Sequence, residues 1–270
     1  MTKAADFLAL HVKGAPFVLA NAFDEGSARL LAHLGFPALA TSSAAFAMTL
    51  GRIDYGVTRA EAVEHGRRVA AATALPVSAD LENGYGLSPS DAAMTIRCAA
   101  AAGLAGGSIE DSSGDAAKPI IDETLAVERV VAAADAARAA HGGFVLTARA
   151  EGLLNGETDL GAIIRRLNAF GAAGADVLFA PGLPSIDAVR EVCASVDKPV
   201  SVMVSPRFTS ASLEDFAKAG VARVSLGPAF FSAAYGALAD AAAAIRTSGA
   251  FAALAPGYGR YAEIKAAMRG

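Results

Sequence analysis

The stretch VSADLENGYGLSPSDAAMTIRCAAAAGLAGGSIE, residues 77–110, decides the fold. Val77–Ala79 is a short β-capable run that ends in polar side chains: Asp80, Glu82 and Asn83, then Gly84-Tyr85-Gly86. Ser88 stands where a helix cap belongs, ahead of an Ala-rich helical pattern over Pro89–Ala102. A serine hydroxyl there accepts from an unpaired N–H of the first turn. Gly103 suits the left-handed position that closes such a helix, and a second apolar run, Gly107–Ile109, follows. These residues are one βα unit and the start of the next.

The same alternation runs outward in both directions. Strand candidates are Phe17–Ala20, Ala38–Thr41, Val77–Ala79, Gly107–Ile109, Val145–Thr147, Val177–Phe179, Val200–Val204 and Val224–Leu226. Helical patterns lie between them over Glu25–Leu34, Arg59–Thr73, Leu125–Ala140, Leu160–Ala173, Ile186–Ala194 and Ser212–Ala219. Thr58, Ser185 and Ser210 are further cap candidates, and Gly35, Gly174 and Gly220 further helix ends. Successive strand ends are about 29 residues apart, close to the spacing of a TIM barrel. The rival doubly wound sheet lacks its GxGxxG after the first strand. The pattern predicts an α/β fold: a (β/α)8 TIM barrel over residues 1–247, with a C-terminal helical appendage over 248–270.

Composition narrows the function classes. Of the 270 residues, 54% are hydrophobic and 19% charged, enough for a large core and too apolar for a disordered chain. No apolar run reaches the ~18 residues of a membrane helix, and the first residues do not read as a signal peptide. A net charge of −4 argues against nucleic acid as a partner. Cys98 and Cys193 are too few for a disulfide framework or thiolate zinc site, and read as small buried hydrophobes. His11, His33, His65 and His141 fall in helical stretches, where solvated or local roles are expected. A cytoplasmic protein acting on a small molecule, with no nucleic-acid or membrane partner, is the expectation.

In a barrel, chemistry sits at the C-terminal ends of the strands. Asp80, Glu82 and Glu110 leave adjacent strands there, and Asp54 lies in the loop after strand two. Crowded carboxylates repel, and a proton or a cation relieves the repulsion. Oxygen donors without histidine suit Mg²⁺ or Mn²⁺ rather than zinc. The bland reading is that these acids cap helices or pair with Arg149. Arg149 ends a very apolar strand, so its guanidinium either pairs with Glu110 or Glu151 or grips a substrate carboxylate. The small residues Ser42, Ser43 and Ala44 either make a tight turn or open backbone N–H groups to a carboxylate or oxyanion.

Ser42-Ser43, Leu50-Gly51, Asp54, Ser78 to Gly86, Ser108-Ile109-Glu110-Asp111 and Ala148-Arg149-Ala150-Glu151, in that order, resemble the isocitrate lyase/phosphoenolpyruvate mutase superfamily, most specifically at Asp80-Leu81-Glu82-Asn83-Gly84-Tyr85-Gly86. Gly174–Leu183 and Gly220–Gly227 are similar to it as well. The resemblance implies a Mg²⁺- or Mn²⁺-dependent barrel enzyme acting on 2-oxo or 2-hydroxy acids through an enolpyruvate-like intermediate. It also implies a homo-oligomer, dimer or tetramer, that exchanges the C-terminal helix between subunits. Asp80 would be the main metal ligand, with Asp54, Glu82 and Glu110 binding directly or through waters. Ser42, Ser43, Ala44, Asp80 and Arg149 would bind substrate, and Asp54, Glu110 and Arg149 would carry the chemistry.

The segment Glu110–Pro119 departs from the pattern. It holds neither the Cys-Gly-His of the lyases that cleave isocitrate nor the Lys-Thr-Asn of the phosphonate branch, although Lys118 could stand for that lysine. The expectation is a metal-dependent lyase or decarboxylase that cleaves a C–C bond in a small 2-oxo acid. Its rivals are a P–C bond enzyme of the phosphonopyruvate type and a non-catalytic, metal-dependent binder of 2-oxo acids.

Overall fold

Eight parallel strands close on one another in chain order: β1 (Phe17–Asn21), β2 (Leu39–Ala40), β3 (Val77–Asp80), β4 (Gly106–Glu110), β5 (Val145–Arg149), β6 (Val177–Phe179), β7 (Val200–Met203) and β8 (Arg223–Ser225), with β8 pairing back to β1. The computed structural model describes residues 2–269. Each of the eight predicted strand positions is a strand, and the (β/α)8 barrel is the fold of this chain.

The outer helices are α2 (Glu25–His33), α4 (Arg59–Ala71), α5 (Pro89–Ala101), α6 (Glu123–Arg138), α7 (Leu160–Ala172), α8 (Ile186–Ser195), α9 (Leu213–Lys218) and α10 (Ala229–Ser248). Thr58, Ser88 and Ser185 cap as expected. Ser210 does not. The cap of α9 is Ser212, whose hydroxyl accepts from the Asp215 N–H while the Asp215 carboxylate reaches back, a reciprocal pair that outcompetes a lone serine upstream. Gly35, Gly103, Gly174 and Gly220 all take the left-handed conformation.

Two short helices lie outside the regular alternation. α3 (Ser43–Thr49) follows β2 directly, capped by Ser42. α1 (Lys3–Ala9) precedes the barrel and closes its lower end, where fully buried Phe7 packs with Leu19, Ala38 and Val145. Gly106 is needed there: an added Cβ would lie 2.7 Å from the Val145 carbonyl oxygen and 3.0 Å from the Phe7 ring.

Beyond α10, α11 (Ala255–Ala267) returns toward α2, and Arg29 Nη1 donates to the Met268 carbonyl at 3.0 Å. Leu238, Phe251, Tyr258 and Tyr261 leave more than half their surface exposed along this tail. Among the described residues no helix is long and apolar enough to cross a membrane.

Candidate functional site

Strand register sets the centre of the site. Glu110 on β4 lies beside Arg149 on β5, and Arg149 lies beside Phe179 on β6. The Arg149 guanidinium sits over the Phe179 ring, 5.1 Å from its centroid. Its Nη1 donates to Asp80 Oδ1 at 2.9 Å and its Nε to Glu151 Oε1 at 2.9 Å, with Nη2 3.2 Å from Glu110 Oε2. Burial alone would pull its proton off, but Glu151, Glu110 and Asp80 together hold it firmly charged. Arg149 therefore makes both of the predicted ion pairs and adds Asp80. Glu151 is positioned in turn by Asp111, whose Oδ1 accepts the Glu151 N–H at 2.7 Å while Oδ2 pairs with Arg166 at 3.0 Å.

The carboxylates crowd one side of this guanidinium. Asp80 ends β3, and its Oδ2 accepts from Ser43 Oγ at 3.0 Å and from the Ser43 N–H at 3.2 Å. Burial raises the Asp54 carboxyl above its ordinary range, and the Asp80 charge adds to the shift. Glu82 is only 4% exposed. Burial, then the charges of Asp80 and Asp54, push it up to about 8. Its Oε1 is buried without a hydrogen-bond partner. Glu110 is raised by burial, and the Tyr55 hydroxyl donates to its Oε1.

Backbone strain gathers at the same place. Among the described residues, the non-glycine positions with left-handed backbone are Tyr55 (φ 61°), Glu82 (φ 48°) and Tyr85 (φ 59°). Each such residue costs on the order of 1–3 kcal/mol and persists only where surrounding contacts fix it. Two arginines do so here. Arg59 on α4 donates to the Gly84 carbonyl at 3.2 Å and the Tyr85 carbonyl at 3.3 Å. Arg129, buried on α6, donates to the Gly86 carbonyl at 2.6 Å and also to that of Asn83.

Above these groups opens a cavity of about 400 Å³. Ser42, Ser43, Ala44, Asp54, Asp80, Glu110 and Arg149 all line it, so four strand ends and one loop bring these predicted site residues together. Glu82 does not line it, though the charges of Asp80 and Asp54 reach it. Among the described residues no three acidic, histidine or cysteine side chains stand close enough to enclose an ion by themselves. That is unlike a zinc cage. It suits Mg²⁺, which keeps several waters and takes only one or two protein carboxylates. The Asp54 and Glu110 carboxyls on the cavity wall, both raised by burial, fit such a hydrated cation, whose charge would relieve the repulsion among the acids, the partnerless Glu82 nearby included.

Several residues of the site escape a sequence reading. Tyr55 lines the cavity from an exposed-looking loop. Asn21 ties three strand ends together, its Oδ1 accepting the N–H groups of Leu226 and Gly227 and its Nδ2 donating to the Thr41 carbonyl. Arg223 is 3% exposed and lines the cavity from β8. Its signal was a lone charge inside the apolar run 220–226, the same signal that marks Arg149.

The histidines also differ from expectation. His33 ends α2, but His11 and His141 lie outside the helices. His11 and His65 are buried, and burial pushes them down to about 3 and about 4 respectively. His65 stacks on Phe46, 3.9 Å between centroids. His11 is the partner of Arg223. Cys193 is buried as expected, whereas Cys98 is half-buried.

Residues 7–246 match a family model described as phosphoenolpyruvate phosphomutase. A solved structure from Burkholderia cenocepacia, described as a candidate lyase/mutase, superposes with a TM-score of 0.90 at 46% identity, covering 93% of this chain and 90% of that one. A protein of Mycobacterium tuberculosis is 33% identical over 96% of this chain and 94% of its own length. The oxaloacetate decarboxylase of Rhodopseudomonas palustris is 31% identical, over 73% of this chain and 68% of its own.

Proposed function

Because this chain belongs to the phosphoenolpyruvate phosphomutase family, we propose that it is a Mg²⁺- or Mn²⁺-dependent lyase or decarboxylase that cleaves a C–C bond in a small 2-oxo carboxylic acid. One observation carries the reading: Asp54, Asp80 and Glu110 crowd together on the wall of a cavity sized for a small acid, with Arg149 paired to Asp80 and Glu110 beside them. Asp80 would hold the ion, with Asp54, Glu82 and Glu110 contributing directly or through waters. The ion supplies positive charge against which negative charge developing on a 2-oxo group is stabilised.

The remaining work belongs to side chains of this chain. Arg149 presents a planar fork that matches a carboxylate. Its Nη1 is engaged by Asp80, and would be free for a substrate carboxylate if Asp80 turned to hold an ion. The Ser43 N–H and hydroxyl are likewise engaged by Asp80, so Ser42, Ser43 and Ala44 become an acid-binding corner under the same exchange. Tyr55 carries a proton inside the cavity, hydrogen-bonded to Glu110. Burial, then the Glu110 charge, hold that phenol above its ordinary range, which keeps it protonated and able to quench a carbanion.

Carbon–carbon cleavage is favoured over P–C chemistry by the loop after β4. Ser113 N–H donates to the Pro119 carbonyl at 2.8 Å and Ser113 Oγ to the Lys118 carbonyl at 2.6 Å. The loop is thereby closed on itself, and Lys118 does not line the cavity. A steady-state assay with oxaloacetate and Mn²⁺ or Mg²⁺ tests the proposal, with Asp80→Ala as control. Expected is metal-dependent pyruvate formation that falls at least ~100-fold in the variant, as losing a charge-stabilising group does. Turnover indifferent to metal or to Asp80 would overturn it. Metal-dependent binding without product from any 2-oxo acid would favour the non-catalytic reading instead.

A further inference from the structure

Arg223 projects from β8 across the barrel interior and is 3% exposed. Its Nε donates to Ser201 Oγ at 2.9 Å, and its Nη1 to Thr147 Oγ1 at 3.2 Å. Thr147 is two residues below Arg149 on β5, so this guanidinium lies one layer beneath the acid cluster. The second Nη1 partner is His11 Nε2, at 3.2 Å. His11 Nδ1 lies 2.9 Å from the Phe7 carbonyl oxygen and therefore carries the ring proton. Nε2 is left as a bare lone pair, so the imidazole is neutral.

All three partners of this buried cation are uncharged, and among the described residues no carboxylate pairs with it. That is the opposite of Arg149, which has three. A guanidinium has five N–H donors, of which Nε and Nη1 use three. Nη2 has no acceptor among the described residues, and Arg223 lines the cavity. Ser78 and Ser108, each two residues before a carboxylate of the rim, line it too, and neither hydroxyl is engaged by another residue. An isolated buried charge is strongly unfavourable unless something pairs with it, and a carboxylate is the best match for spare guanidinium donors.

We propose that Arg223 is the anion-binding floor of this cavity, its Nη2 taking a second carboxylate of the ligand between the hydroxyls of Ser78 and Ser108. The protein thereby selects small acids with two anionic ends, one at the rim and one at the floor. This rests on the cavity being the 2-oxo acid site proposed above. Arg223 acts here as a binding and specificity residue and takes no part in bond cleavage.

Calorimetry on the full chain with saturating Mg²⁺ compares 2-oxoglutarate with 2-oxobutyrate, which shares the 2-oxo acid end and lacks the far carboxylate. Malonate without metal reads the floor alone. Wild type should bind 2-oxoglutarate at least ~10-fold more tightly than 2-oxobutyrate, the worth of hydrogen bonds to a charged group. In Arg223→Met the ratio should fall to near 1, with 2-oxobutyrate affinity unchanged within about twofold and malonate binding lost. The melting temperature should hold or rise, because methionine removes an unpaired buried charge.

Arg223→Lys keeps the charge without the planar fork, and should recover part of the ratio. It carries the same comparison if the methionine variant does not fold. A ratio as large as that of wild type in either variant refutes the proposal, as does an equal loss for both acids in a folded variant. If wild type takes up neither 2-oxo acid, the reaction proposed above fails. The malonate arm then decides Arg223 by itself: loss of malonate binding in the variant upholds the floor, and equal or absent binding overturns it.

Discussion

Removing the Arg149 guanidinium tests the clamp on which the site depends. In Arg149→Met, Glu110 and Glu151, whose side chains are 4% and 6% exposed, lose their counter-charge together with Asp80 at 18%. Breaking a buried pair by removing one partner costs about 3–5 kcal/mol. Glu110 is already raised by burial, so it can discharge by taking a proton at neutral pH, and the cost then lies near the lower end. At pH 9 that escape narrows and the cost moves toward the upper end. For a chain of this size each kcal/mol is worth about 2 °C, so the metal-free variant should melt roughly 6–10 °C below wild type. Scanning calorimetry at pH 6 and pH 9 measures it. Added Mg²⁺ should raise the variant more than the wild type, since no guanidinium then competes for Asp80 Oδ1. A variant that melts within about 2 °C of wild type at pH 9 would refute the claim that these acids need this cation.

Tyr55→Phe should lower turnover by ~10²–10⁴-fold, as loss of a positioned acid does, while leaving Mg²⁺ affinity within about twofold; unchanged turnover removes Tyr55 from the proton path. Metal-free protein should lose stability as pH rises from 6.5 to 8.5. Glu82, at about 8 folded against 4.5, binds more protons folded than unfolded across that window, and the opposing effect of buried His11 and His65 fades above 6.5, with less than about 1 kcal/mol of it left for the two together. Glu82 alone contributes about 2 kcal/mol of this loss, or roughly 4 °C by calorimetry, and a flat profile without metal contradicts it. Arg129→Met should loosen the left-handed turn and cost about 2–4 kcal/mol, seen in urea melts and as faster amide exchange at 83–88; protection equal to wild type would show that the turn holds itself.

The barrel was legible because each unit repeats the same local chemistry. Strand, polar rim, capped helix and glycine recur with little tertiary interference, and Thr58, Ser88 and Ser185 needed only their own neighbours to be read. Ser210 misled because two serines stand two residues apart, and the choice was made by Asp215 reaching back to Ser212. At the site, Asp80, Glu110 and Arg149 announced themselves as charges at the ends of apolar strands. Arg59 and Arg129 did not, since on their helices they look like ordinary surface charges. Only the folded chain shows them holding carbonyls of the strained turn 83–86. His11 reads in the sequence as a helical residue with a solvated or local role, because its partner lies 212 positions away, a separation no local pattern encodes.

The two interior arginines divide the work because their surroundings differ. Arg149 is saturated with acids, so on the function proposed above it would meet a ligand only if a cation drew on the same carboxylates. Metal and substrate would then bind interdependently at the rim. Arg223 waits below with neutral partners, and its charge is open to a ligand at any time. A carboxylate in the place of His11 would have neutralised it and filled the floor electrostatically. A neutral imidazole supports the guanidinium by one hydrogen bond and leaves its charge unspent. The helix that closes the barrel, by placing His11 there, thus sets the polarity of the cavity along its axis: acids at the mouth, an unpaired cation at the base. On the function and the floor proposed above, a diacid entering this field would be oriented with its 2-oxo end at the mouth, where the cation would be held, and its far carboxylate drawn inward. A monoacid feels the same field but has one carboxylate to place and cannot fill both ends, so wild type should discriminate between the two even where Arg149 contacts both equally.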